Sequence, residues 1–286
     1  MAATVLSGKA ISEKVRAEAA AGAEQFRTRY GRPPGLHVVL AGENQASMVY
    51  VRNKEKAASE AGFAGEVHRL AGSVTPEAIL MLVRELNDRD DVDGILVQLP
   101  LPGHVGAGPI LEAVDPAKDV DGFHAVNVGA LWSGGTALVP CTPRGCMRLL
   151  AEANVRLEGK RAVVVGRSNI VGKPIAALLL AANATVTVAH SRTPDLPALC
   201  READVLVAAV GRAKMIRGDW IKPGAAVIDV GMNRDENGKL CGDVDFASAS
   251  EVAGIITPVP GGVGLMTIAM LLDNTLIAAR RRKGAL

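Results

Sequence analysis

Tyr50 and Lys54 stand four residues apart in GENQASMVYVRNKEKAASEAG, residues 42–62, a stretch that reads as a helix. On a helix such a pair lies one above the other, and Ser47 shares their face. A lysine partly withdrawn from water can move protons near neutral pH. A tyrosine one turn earlier can stack on a flat ring and orient a donor. Helical lysines are more often solvated and tyrosines more often pack, so the pair by itself leaves both readings open. Asp121 sits in KDVDG, where Asp119, Asp121 and Gly122 suit a surface turn. Its carboxylate equally suits the donor edge of a ring that offers paired N–H groups. Gln98 follows an apolar run, with Pro100 and Pro102 placed to stop that run and open a cleft.

A second constellation lies in VVVGRSNIVGKPIA. A strand ends at Gly166 and a helix begins near Gly172, the location of a dinucleotide-binding turn whose helix N-terminus favours a pyrophosphate. The spelling departs from G-x-G-x-x-G, because Ser168 replaces the second glycine and the last falls one residue late. A ligand-free structural turn is the competing reading. The next strand ends TVTVAHSRT, with no carboxylate before Asp195 to receive an adenosine ribose. Arg167, Ser191 and Arg192 instead suit a ribose phosphate, which a carboxylate would repel, so the sequence favours NADP over NAD. Gly211, Gly231 and Met232 end two further strands and are candidate cofactor contacts through backbone and surface.

The elements that must position these residues alternate. Short apolar runs at 36–42, 66–70 and 92–102 read as strands, separated by helices at 42–62 and from Pro76, where Thr75 is the expected N-cap. From Lys160 the alternation restarts, with strands at 160–166, 185–190, 204–211 and 225–231. The pattern predicts an α/β protein with parallel sheets covered on both faces, the second half doubly wound. The middle stretch, 111–143, shows little periodicity and suggests a site or a domain junction. Thr142 is the expected N-cap of the helix that follows it, and residues 265–282 read as an amphipathic helix.

Composition sets bounds. The chain has 286 residues, enough for two domains, with 49% hydrophobic and 22% charged residues and a net charge of +2. Near-neutrality predicts no nucleic-acid groove, and the basic tail ARRRKGAL is short enough to be a solvated helix end. No apolar run approaches the roughly 20 residues expected of a membrane span, and no secretory leader is apparent. Cys141, Cys146, Cys200 and Cys241 form no Cys-x-x-Cys pair, which suggests reduced thiols and a cytoplasmic setting. The histidines are scattered without paired-ligand spacing, so no metal is expected.

SMVYVRNKEKA, GILVQLPLPGH, DPAKDVDGFH, PCTPRG, VVGRSNIVGKP, DVGMNR and TPVPGGVGLMT occur in this order. Together they resemble the bacterial FolD family of bifunctional methylenetetrahydrofolate dehydrogenases and methenyltetrahydrofolate cyclohydrolases, from about residue 5 to residue 277. The resemblance implies a folate domain over 1–140 completed by a C-terminal helix, 266–286, and a Rossmann-like NADP domain over 141–265. It implies an active site in the cleft between domains, and a homodimer formed largely through the nucleotide domains. Its setting would be one-carbon metabolism and purine biosynthesis. By the same resemblance Lys54 handles proton transfer, Gln98 hydrogen-bonds and tunes it, Asp121 holds the pterin and Tyr50 stacks on the folate. Val97, Gln98 and Leu99 line the substrate, and the loop Pro260, Gly261, Gly262, Val263 and Gly264 closes over it. Thr142 joins Gly166, Arg167, Ser168, Ser191, Arg192, Gly211, Gly231 and Met232 on the cofactor side. The alternatives are a dehydrogenase with weak cyclohydrolase action and a non-catalytic NADP-binding protein. One departure stands out: Leu265 occupies a position where the family carries proline. Met232, where a branched aliphatic residue is common, is a milder one.

Overall fold

The computed structural model describes residues 2–285. The chain begins with β1 (Thr4–Val5), α1 (Gly8–Tyr30), β2 (Leu36–Ala41), α2 (Gln45–Glu60), β3 (Val67–Leu70), α3 (Pro76–Asp88) and β4 (Gly94–Val97). Three helices follow: α4 (Ala107–Glu112), α5 (Ala125–Ser133) and α6 (Cys141–Glu152). Then come β5 (Arg161–Val165), α7 (Gly172–Ala181), β6 (Thr185–Ala189), α8 (Leu196–Arg201), β7 (Val205–Ala208) and β8 (Ala226–Asp229). The chain ends with β9 (Asn233–Arg234), β10 (Leu240–Cys241), α9 (Phe246–Ser250), β11 (Ile255–Ile256) and α10 (Val263–Arg282).

Two compact units emerge. One joins Lys14–Cys141 to Ile268–Leu286, and the other joins the segment ending at Glu13 to Thr142–Thr267. In the first, three parallel strands run in the order β3-β2-β4, with Val38 level with both Val67 and Leu96. All six residues of β2 are buried, which explains an unbroken apolar run rather than an alternating one. The α3 helix starts as its sequence dictates: the Thr75 side chain accepts the N–H of Ala78, and Pro76 occupies the first turn. Its Ile79, Val83 and Leu86, at helical spacing, pack on Val39, Ile95 and Val97.

The second unit holds a six-stranded sheet in the order β1-β11-β8-β7-β5-β6, with every pairing parallel. Its first strand comes from the N-terminus: Thr4 pairs with Ile255 and Val5 with Ile256. Residues 2–13 therefore belong with this sheet, a long-range pairing that two residues of sequence could not announce.

Several expectations change. The middle stretch contains α5, which the lack of periodicity concealed. Helix α6 begins at Cys141, so Thr142 lies inside its first turn instead of capping it. No residue of α10 is fully exposed, and Asp273, Ile277, Arg280 and Arg281 form a half-buried stripe at helical spacing, so the amphipathic face is narrower and more covered than the sequence suggested. This helix is also long and apolar enough to cross a membrane, contrary to the reading that no run approached that length, but most of it is packed inside the protein, as in a core helix.

Candidate active site

Helix α2 turns its chemical face inward. Its first turn is capped by Asn44, whose side chain accepts the Ser47 N–H at 3.0 Å. Ser47 and Lys54 are buried at 5% and 7% exposure, and Tyr50 is half-buried between them. The face that could have been a solvated edge is therefore enclosed. Burial raises the Tyr50 phenol above its ordinary value, so it stays protonated. Lys54 Nζ donates to Gln98 Oε1 at 2.9 Å, and Gln98 Nε2 donates to the Leu99 carbonyl at 2.6 Å. Gln98 sits one residue beyond β4, where its N–H still bonds Val39 O at 2.9 Å. The β4 end thus fixes the backbone, and the Leu99 carbonyl fixes which amide atom faces the lysine.

Asp121 completes this group. Burial pushes its carboxyl up to about 6; the Lys54 ammonium opposes that shift, Asp119 adds to it and a Cys141 thiol hydrogen bond opposes it. Asp119 does form the turn that KDVDG suggested, with Gly122 N–H on its carbonyl at 3.0 Å. It is not a surface turn: Asp119 is buried, and its carboxylate accepts the His124 N–H at 2.8 Å and Asn127 Nδ2 at 2.9 Å. Asp119 therefore serves the turn, and the Asp121 carboxyl is not part of that bonding.

The loop is held from below by residues the sequence reading missed. Lys118 is buried at 2% exposure and donates to the carbonyls of Leu86, Asn87 and Arg89 at 3.2, 2.6 and 2.8 Å. It satisfies the C-terminal carbonyls of α3 and lashes Asp119–Asp121 to that helix. Asn274 of α10 donates to the Val120 and Val139 carbonyls, both at 2.8 Å. An asparagine inside the apolar run AMLLDNTL was a signal that could have been read, since buried amides need partners.

The other unit carries the second group. The β5–α7 turn is tight: Gly166 has φ +128°, and a Cβ added there would collide with Ala209 O. A Cβ on Gly172 would collide with Gly166 O. Both positions admit only glycine, as close helix–strand packing in a dinucleotide turn requires. Ser168 behaves differently from a bare second glycine. Its hydroxyl accepts the N–H groups of Val171 at 3.1 Å and Gly172 at 3.3 Å, and its carbonyl accepts that of Lys173 at 3.0 Å. Those helix-start donors are engaged internally, and the Ser168 hydroxyl hydrogen is what the turn offers outward.

The register of β5 and β6 sets Val165 level with Ala189, and Gly166 N–H bonds Ala189 O at 2.8 Å. Arg167 and Ser191 each lie two residues past that level, and both are exposed, as is Arg192. Arg192 N–H donates to His190 Nδ1 at 3.1 Å, which shapes the turn that presents them. The N–H groups of Gly211 and Gly231 are taken by Asp243 and Asp229, so these glycines offer surface and carbonyls but not N–H donors. Met232 is 48% exposed, with its Cε beside Gly264. Thr142 Oγ1 meets Thr267 Oγ1 at 3.0 Å. Pro260 to Gly264 lie in this unit, where Gly8 N–H bonds Gly261 O at 2.8 Å. Leu265 N–H donates to Gly262 O at 3.3 Å, a bond that proline could not make.

Two histidines prove less scattered than their positions suggested. His37 Nδ1 and His68 Nε2 lie 2.9 Å apart on β2 and β3. Burial and the Arg89 charge bring His37 down to about 4, which keeps it neutral. Among the described residues no group of three or more His, Cys, Asp or Glu could hold a metal ion.

Comparisons with known proteins bear on both groups. The family model "Tetrahydrofolate dehydrogenase/cyclohydrolase, catalytic domain" matches residues 6–121, and its NAD(P)-binding domain counterpart matches residues 140–283. The Bifunctional protein FolD of Sorangium cellulosum is 60% identical over 283 residues, 99% of each chain. A crystal structure of the FolD dehydrogenase/cyclohydrolase from Campylobacter jejuni superposes with a TM-score of 0.96 at 48% identity, covering 98% of this chain and 100% of that one. The Trypanosoma brucei methylenetetrahydrofolate dehydrogenase-cyclohydrolase, solved with NADP cofactor and inhibitor, gives 0.94 at 42% identity with 99% of each chain covered. A relative this similar along nearly the whole length, together with two family models that span both units, leaves one assignment: the chain belongs to the tetrahydrofolate dehydrogenase/cyclohydrolase family.

Proposed function

We infer that the chain oxidises 5,10-methylenetetrahydrofolate to 5,10-methenyltetrahydrofolate with NADP and hydrolyses the product to 10-formyltetrahydrofolate. The observation that carries the residue assignment is the buried Lys54 ammonium on Gln98 Oε1, with the Asp121 carboxyl in its field. In this reading the unit that holds Tyr50, Lys54, Gln98 and Asp121 takes the folate. The phenol of Tyr50 presents an aromatic face to the pterin and stays neutral beside it. Asp121, when ionised, accepts from the N–H edge of the ring. Val97 and Leu99 flank Gln98 and line the ligand, and Pro260, Gly261, Gly262, Val263 and Gly264 are assigned to the substrate set by the family resemblance.

The residues around the β5–α7 turn fit NADP. Gly166 lets the turn close tightly on the Ala209 backbone, Ser168 keeps a hydroxyl hydrogen, and Arg167, Ser191 and Arg192 offer two cations and a hydroxyl for a ribose phosphate. Thr142, Gly211, Gly231 and Met232 complete the cofactor set. When bound, NADP supplies the two-electron acceptor for the methylene carbon, so for oxidation the protein's task is orientation.

Hydrolysis makes the larger demand on side chains. Water forms a C–O bond to the cationic methenyl carbon and loses a proton; the bond from that carbon to N5 then breaks, and N5 is protonated. Lys54 Nζ, steered by Gln98, is the group that carries the proton between water and the folate nitrogen.

The test uses two assays on one protein. Methylenetetrahydrofolate should reduce NADP much faster than NAD, and methenyltetrahydrofolate absorbance should decay in an enzyme-dependent way without any nucleotide. Lys54→Met should slow that decay by about a hundredfold or more, the usual worth of a positioned acid–base group. An unchanged decay removes Lys54 from proton transfer, and preference for NAD removes the phosphate-binding role of Arg167, Ser191 and Arg192.

Two features support a cytoplasmic homodimer. All four cysteines are buried thiols outside any disulfide, as a reducing compartment permits. Strand β6 ends the six-stranded sheet with Thr185, Thr187 and Val188 exposed, an open edge of the kind that pairs with a second copy.

A further inference from the structure

Asp243 lies just after β10, fully buried, and its carboxylate has no role in the reading above. Four donors converge on it. Oδ2 accepts the N–H groups of Val210 at 2.6 Å and Gly211 at 3.1 Å; Oδ1 accepts that of Arg212 at 2.8 Å and Asn233 Nδ2 at 2.9 Å. A carboxylate has about four lone-pair sites, so this one is saturated. Three consecutive N–H groups aimed at one point form a concavity that binds anions, and here the chain fills it with its own.

A second carboxylate locks the first in place. Asp229, at the end of β8, accepts the N–H groups of Gly231 at 3.0 Å, Asp243 at 2.9 Å and Val244 at 2.9 Å. Its own N–H donates to Thr257 Oγ1 at 2.8 Å. Side chains would not fit around the pair: a Cβ on Gly231 would strike Asp243, and one on Gly242 would strike Asp229. The two acids therefore tie the turn after β7, the turn after β8 and residues 242–244 into one unit. Both turns stand at the carboxyl ends of parallel strands, where open α/β sheets bind their ligands.

We propose that Asp243 is a positioning residue for NADP, an internal anion that sets the shape of the rim formed by residues 210–212 and 231–233. The inference rests on the NADP reading above and adds to it a residue that touches neither cofactor nor folate. Methenyl hydrolysis needs no nucleotide, so it reports separately on the rest of the protein. Replacement of Asp243 by Asn leaves one acceptor oxygen and turns an NH₂ group toward N–H donors, so the rim loses its template.

Calorimetric titration of the whole protein with NADP, in the absence of folate, reads the effect directly. D243N should raise the dissociation constant by at least about tenfold, the scale of one lost charge-assisted hydrogen bond. Its methenyl hydrolysis rate without nucleotide should stay within about twofold of wild type. Should D243N fail to fold, N233A carries the test, because it removes one of the four donors and keeps the carboxylate; about a threefold weakening is expected for the loss of one bond. Hydrogen exchange at residues 210–212 should quicken in either variant. NADP binding by the folded variant at wild-type strength overturns the inference, as does an equal loss of hydrolysis and binding. A wild-type protein that takes up no NADP overturns the cofactor reading as well, whereas intact wild-type binding with unaltered D243N binding overturns this inference alone.

Discussion

The Asp121 carboxyl titrates at about 6 against an ordinary value of 3.8, because burial outweighs the attraction of Lys54. A folded-state value above the unfolded one means the folded protein holds that proton more tightly. The stability this contributes is therefore complete below the unfolded value and is lost as pH rises through about 6. Asp121→Asn, which mimics the protonated form, should raise the melting temperature at about pH 8, with the gain shrinking toward about pH 4. Thermal melts across that range check it; a gain that grows on acidification would reverse the assignment. The same variant should bind folate poorly, since an amide cannot accept from a full N–H edge. A site residue that costs stability at working pH fits a group kept for binding.

At the scale of elements, two devices hold the site. Helix α2 delivers Tyr50 and Lys54 on one inward face, and its period was legible from residue spacing alone. The loop that carries Asp121 was not, because its order comes from Lys118 and Asn274, which reach it from below and from the far end of the chain. Burial lowers the Lys118 amine from its ordinary value, and Arg282 adds to that effect, yet three carbonyls keep it satisfied. Lys118→Met should lower unfolding free energy by about 2–4 kcal/mol, since it strands the α3 carbonyls without donors. Urea denaturation measures this directly, and a change under about 0.5 kcal/mol would make Lys118 an ordinary surface-like residue.

For the whole molecule, the chain completes each unit with a piece from elsewhere. The first strand enters the six-stranded sheet beside β11, and the greater part of α10 returns to the unit of the three-stranded sheet, where Arg282 meets the buried Asp93 at 2.7 Å. Asp93 also takes Arg32 at 2.6 Å, so a carboxylate with no exposure has two cations and needs both. The open edge at β6 makes an assembly prediction. Sedimentation should give twice the chain mass of 29.6 kDa, and Val188→Lys, which charges that edge, should return the monomer. A monomeric wild type, or a dimer indifferent to this change, would place any interface elsewhere.

The sequence alone determined what local rules can carry. Apolar runs marked β2, β5, β7 and β8, Thr75 and Pro76 marked the start of α3, glycine spacing marked the β5–α7 turn, and seven ordered motifs marked the family. These signals reside in neighbours a few positions apart, where periodicity, capping and turn chemistry act. Only the tertiary structure decided that Lys54 is enclosed and bonded to Gln98, that no residue of α10 is fully exposed, and that Asp243 fills the turn after β7. Each of those depends on a partner dozens of residues away or on which face is covered. Burial and long-range hydrogen bonding are properties of the folded packing, and residue spacing does not encode them one by one.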